Sequence, residues 1–67
     1  MMMAQLNTEP NLKDPDGFYE KLIRMTAGLE DRQARLATAK LALLLANHIG
    51  DDAVLDEAMR LARGAAE

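Results

Sequence analysis

Leu41-Ala42-Leu43-Leu44-Leu45-Ala46-Asn47-His48-Ile49-Gly50-Asp51-Asp52 is the stretch that decides the fold of this 67-residue chain. Six apolar residues in succession run into a polar stop. Leucine and alanine are strong helix formers, so the run reads as helix rather than strand. A helix that buries one side shows its apolar residues as a stripe, whereas a segment that is apolar all round needs cover from several directions. A 67-residue chain has little with which to cover it, because a single core of that size leaves only about 3–5 kcal/mol of stability. The absence of cysteine and the single histidine remove the disulfide and zinc staples that small chains commonly use. Oligomerisation or docking on another protein is the staple that remains.

Outward from that run, the punctuation residues give three helices and an arm. Upstream, residues 31–49 form the second and longest helix, about 28 Å at 1.5 Å per residue. Glu30 is a weak capping residue, but Gln33 stands where a capping box needs it. Ala34, Ala37, Leu41, Leu44, Leu45 and His48 trace one face of this helix, and Leu36, Ala39, Leu43 and Ala46 trace the opposite one. Small alanines allow a second helix to approach closely. Downstream, Gly50 ends the helix, and Asp51 or Asp52 caps a third helix over 52–63 with Val54, Leu55, Ala58, Met59 and Ala62 as its apolar stripe. At the other end, Asp14-Pro15-Asp16 supplies a cap, a proline at the first helical position and an acid at the positive end of the dipole. That first helix spans 15–27, with Phe18, Leu22 and Met25 along one face and Gly28 as a left-handed, Schellman-like stop. Residues 1–13 hold Pro10 and no helical stripe, and they read as an extended or disordered arm. The expected organisation is therefore a 1–13 arm, one helical domain over 14–64 and a tail over 65–67. The fold class is all-α, a helical hairpin plus a third short helix assembling as a homodimeric bundle. The Leu41–Ala46 run is expected at the centre of both the core and a helix–helix interface. Met1-Met2-Met3 lacks the basic start and long apolar run of a secretion signal and reads as an ambiguous translation start.

The charge pattern narrows the partners. The net charge of −3 divides into −3 over residues 1–20, +3 over 21–40 and −3 over 41–67. An acidic total argues against nucleic acid or an anionic membrane. The segment Ala46–Met59 has the outline of a helix-turn-helix, but Asp52, Asp56 and Glu57 against Arg60 and Arg63 would meet phosphates with repulsion. Lys40 and Asn47 bracket the apolar run, which is far shorter than the roughly 18 residues that a membrane span needs. A cysteine-free chain fits a reducing cytoplasm. The basic middle suits an acidic end of another subunit, or a solvated helix face.

Candidate chemistry is sparse. His48 with Asp51 and Asp52 could form a weak metal site or an acid/base pair. Equally, a histidine in a last turn suits the negative end of a helix, and the aspartates are natural caps for the next one. No second ligand cluster and no nucleophile motif accompanies them. Asp14, Asn47, His48, Gly50, Asp51 and Asp52 therefore read as polar turns and caps. No catalytic residue, metal or cofactor is expected, and the chain is not expected to be an enzyme. Leu36, Leu41, Leu43, Leu44, Leu45, Ile49, Leu55 and Met59 are the candidate interface residues. The alternative is a small ligand-binding or regulatory module with a polar site near Tyr19, Asn47 and His48.

Four blocks taken together resemble a family of short bacterial proteins of unknown function: Leu6-Asn7-Thr8-Glu9-Pro10-Asn11-Leu12, Asp14-Pro15-Asp16 with Phe18-Tyr19, Gly28-Leu29, and Leu43 to Asp51. Their order and spacing cover about residues 6–63. The resemblance implies a small helical protein encoded beside flavin-dependent monooxygenases or oxidoreductases of aromatic breakdown, and it brings no catalytic residues. Glu30 departs from the pattern, where a serine cap would stand. The functional expectation is a non-catalytic helical interaction or accessory protein. It either forms a homodimer or docks on a larger enzyme, for which a flavin-dependent oxidoreductase is the candidate.

Overall fold

The computed structural model describes residues 5–66. It contains three helices, α1 (Pro15–Thr26), α2 (Asp31–Ile49) and α3 (Asp52–Ala66), and no strand among the described residues. The fold is all-α. Residues 5–14 carry neither helix nor strand. Within them Asn7 closes a local turn by accepting the Glu9 N–H at 2.9 Å, and Leu6 is half-buried while Leu12 is exposed. The methionine run 1–3 and Glu67 lie outside the described residues.

Each helix starts where its capping chemistry is. Asp14 Oδ1 accepts the Gly17 N–H at 3.0 Å, and Pro15 takes the first helical position, where a missing N–H costs nothing. Glu30 serves as N-cap of α2, and Gln33 Oε1 reaches back to accept the Glu30 N–H at 3.2 Å. Asp51, rather than Asp52, caps α3. Its Oδ1 accepts the Val54 N–H at 3.0 Å and its carbonyl accepts the Leu55 N–H at 3.1 Å.

The stops differ more from expectation. Gly50 is left-handed at φ 68°, and its N–H bonds the Ala46 carbonyl at 2.8 Å, which closes α2 cleanly. The end of α1 is not Schellman-like. Ala27 leaves the helix with extended angles (φ −61°, ψ 134°), Gly28 follows at φ 81°, and the Leu29 N–H reaches the Thr26 carbonyl at 3.2 Å. Those are the features of a type II turn, which needs glycine at its third position, so α1 ends one residue before the expected boundary. At the other extreme, α3 continues through Gly64 to Ala66, past the expected end at 63. Gly64 is not among the positive-φ glycines and leaves the helix unbroken. Alanines 62, 65 and 66 around it are the strongest helix formers and carry the helix past the glycine. A Cβ at position 64 would meet no neighbouring atom within 4 Å. Gly64→Ala is therefore expected to stabilise the protein by about 0.5 kcal/mol, read as a rise of roughly 3 °C in thermal unfolding followed by circular dichroism.

Packing is where the expectation fails. Helix α1 packs along α2, and the sheltered positions are Leu22 and Thr26 in α1 and Ala34, Ala37 and Leu41 in α2, all half-buried. Yet among the described residues none is buried. The Leu41–Ala46 run is not the centre of a core within this chain: Leu41 and Ala46 are half-buried, but Leu43, Leu44 and Leu45 are exposed. The physical reason is geometric. One short helix, α1, packed along α2 cannot wrap a segment that is apolar around its whole circumference. The dimensions agree, with a radius of gyration of 13.7 Å and extents of 46 × 26 × 25 Å. A compact 67-residue chain would have a radius of gyration of about 11 Å.

Candidate functional site

The surface that stands out is apolar and lies on α2. Leu43 is 71% exposed and Leu44 69% exposed, values ordinary for a lysine and unusual for adjacent leucines. Leu36, Leu45, Ile49 and Met59 are exposed as well, while Leu41 and Leu55 are half-buried. The accessible surface of the chain is 6471 Å², against about 4,200 Å² for a folded monomer of this mass. On the same scale the chain has removed about 40% of its unfolded surface from water, where domains of this size remove about 60%.

Two grooves organise that surface. The larger, about 630 Å³, opens between α2 and α3. Its walls are Ala39, Ala42, Leu43 and Ala46 from α2 and Leu55, Ala58, Met59 and Ala62 from α3. Every one of those side chains is apolar. The smaller, about 390 Å³, lies on the adjoining flank of α2 between Lys40, Leu43, Leu44 and Asn47. Leu43 is common to both and stands on the ridge between them. Of the candidate interface residues, the structure thus gathers Leu43, Leu55 and Met59 in one groove and Leu43 with Leu44 in the other. Leu36, Leu41, Leu45 and Ile49 line neither of these two grooves.

The sequence places Ala39, Ala46, Ala58 and Ala62 on apolar faces, but the expected interface set held only large side chains and omitted the five alanines that form most of the larger groove. Their signal was available. Ala39, Ala42 and Ala46, and Ala58 and Ala62, recur at spacings of three and four, which places each set along one side of its helix. What periodicity does not give is depth, since an alanine under a neighbouring helix and an alanine on an open wall have the same spacing.

The polar residues serve the backbone. Asp14, Gly50 and Asp51 hold the cap and turn bonds described above. Asp52 stands in the first turn of α3 and His48 in the last turn of α2, both exposed and both complementary to the adjacent helix dipole. Asn47 lines the smaller groove, whereas Tyr19, 64% exposed on α1, and His48 line neither of the two. Among the described residues no three histidine, aspartate or glutamate side chains gather where they could hold a metal ion. No helix among them is long and apolar enough to cross a membrane.

Comparison with curated proteins and with solved structures gives no match. A family model does match, over residues 6–64, and its description is "Protein of unknown function (DUF2783)". The match takes in all three helices apart from the last two residues of α3, together with the capped turns that connect them. The chain belongs to the DUF2783 family.

Proposed function

We propose that this chain is a non-catalytic helical interaction protein whose working form is an assembly, in the first instance a homodimer, built on the leucine-rich face of α2. One observation carries this reading: no described residue is buried, and the exposed Leu43 and Met59 border an apolar groove. Apolar surface left in water forgoes about 25 cal/mol per Å². Contiguous exposed apolar patches beyond a few hundred Å² mark interaction sites. Asp14, Gln33 and Asp51 support the same reading, because they are engaged as caps and line neither groove.

Multi-angle light scattering on the purified protein tests it. The expected result is twice the 7.4 kDa chain mass at micromolar concentration. A folded monomer under those conditions rejects self-association and leaves docking on a larger enzyme, for which a flavin-dependent oxidoreductase would be tested by co-purification.

A further inference from the structure

We infer that the occupant of the α2–α3 groove is α2 of a second copy, laid antiparallel about a two-fold axis that passes at the level of Leu41. This deepens the self-association reading and rests on it. Arg32, Leu36, Ala39, Leu43 and Ala46 recur along α2 at steps of four, three, four and three, the spacing of a coiled-coil seam. Leucine and alanine alternate at the four apolar positions. In an antiparallel pair centred at Leu41, Leu36 faces Ala46 of the second copy and Ala39 faces Leu43. Each layer then holds one large and one small side chain, so the layers interdigitate without a void and the helices come close. A parallel pair would set Leu36 against Leu36 and Ala39 against Ala39, crowding one layer and emptying the next.

Charge selects the same direction. Arg32 and Arg35 lie near the start of α2, and Asp51 and Asp52 follow its end. Antiparallel placement sets Arg32 and Arg35 of each copy opposite Gly50 and Asn47, at the negative helix end of the other, whereas a parallel pair would bring the arginines together. The Asn47 amide oxygen, opposite Arg35, can accept from its guanidinium. Asp31 and Glu30 fall opposite Asp51 and Asp52, two like-charge pairs near the helix ends, and Lys40 is a further like-charge approach, near the axis. It is exposed, and its long stem can carry the ammonium outward.

The area is of the right order. The accessible surface of 6471 Å², the N-terminal segment included, exceeds that of a compact monomer by about 2,300 Å². A standard interface needs about 800 Å² per partner, and obligate dimers bury more. A two-fold interface is self-complementary, so one groove satisfies both chains, and Leu55 and Met59 of α3 form its outer wall.

The chain has no cysteine, so each introduced thiol is its only one. Ala39→Cys and Leu43→Cys proteins, mixed and allowed to exchange subunits, are expected to form a disulfide-linked dimer on mild oxidation. Leu36→Cys with Ala46→Cys forms the second expected pair. Preferential linking of Ala39→Cys to itself would establish a parallel pair and overturn the inference. A dimeric mass with neither mixed pair linking overturns the register while leaving self-association standing, and a monomeric mass overturns both. A second series does not depend on oxidation. Ala39→Leu alone sets leucine against Leu43 and is expected to weaken the dimer at least about tenfold. Ala39→Leu with Leu43→Ala restores one large and one small residue per layer and should recover the dissociation constant to within about threefold. No recovery in the double variant overturns the pairing.

Discussion

Leu43→Glu is expected to convert the assembled protein to a monomer at micromolar concentration. Leu43 is the ridge shared by the two grooves and is 71% exposed in the single chain, so its apolar surface is satisfied only by a partner. Burying one leucine side chain is worth about 1.5–3 kcal/mol, and a two-fold dimer loses two of them. Each glutamate would also carry a carboxylate into an apolar groove, a further cost of desolvation. Taken together the loss is at least about 4 kcal/mol, on the order of a thousandfold in dissociation constant. Glutamate is nearly as good a helix former as leucine, so α2 keeps its local propensity and the loss falls on association. Sedimentation velocity reads the result directly, and a variant that still runs as a dimer would sink the assignment of this face. His48→Ala is the matched control. The side chain is exposed at the end of α2 and contributes at most a dipole term of about 0.3–1 kcal/mol, so its dimer should persist.

The second large effect is thermal. If folding and association are one event, the melting temperature depends on protein concentration, because mass action favours the associated state. A hundredfold increase in concentration contributes about 2.7 kcal/mol. Unfolding enthalpies near 0.7 kcal/mol per residue give about 90 kcal/mol for a dimer of this chain, and from these the midpoint is expected to rise by roughly 10 °C between about 1 and 100 µM. A folded monomer shows no such rise. The measurement therefore separates self-association from docking on a different protein without any substitution in the chain.

The helix boundaries were legible wherever a single residue carries the chemistry. Asp14 with Pro15, Gln33, Gly50 and Asp51 each satisfy, or dispense with, a particular backbone group, and side-chain type together with spacing placed all of them but the last, for which Asp52 was an equal candidate. The stop at Ala27 and Gly28 was half legible. Glycine announces a positive φ but does not say whether the residue before it stays helical, and here Ala27 does not. Gly64 shows the converse, a glycine held in a helix by the alanines around it. Burial was the least legible. The Leu41–Ala46 run says that cover is needed, yet nothing local says whether the cover comes from the same chain, and the placement of that run at the centre of an internal core does not hold. The groove was hidden for a related reason, since alanines lining an open wall carry no mark of being exposed.

The absence of any buried described residue bears on how such a chain can change over generations. In an ordinary domain, interior positions answer to packing and exterior ones to recognition, so the two can drift separately. In the assembly proposed above, a substitution on α2 or α3 alters the means of staying folded and the means of finding a partner in the same stroke. Variation at Leu36, Ala39, Leu43 and Ala46 should consequently proceed by paired exchanges rather than single steps, whereas the solvated positions between them are left free to wander.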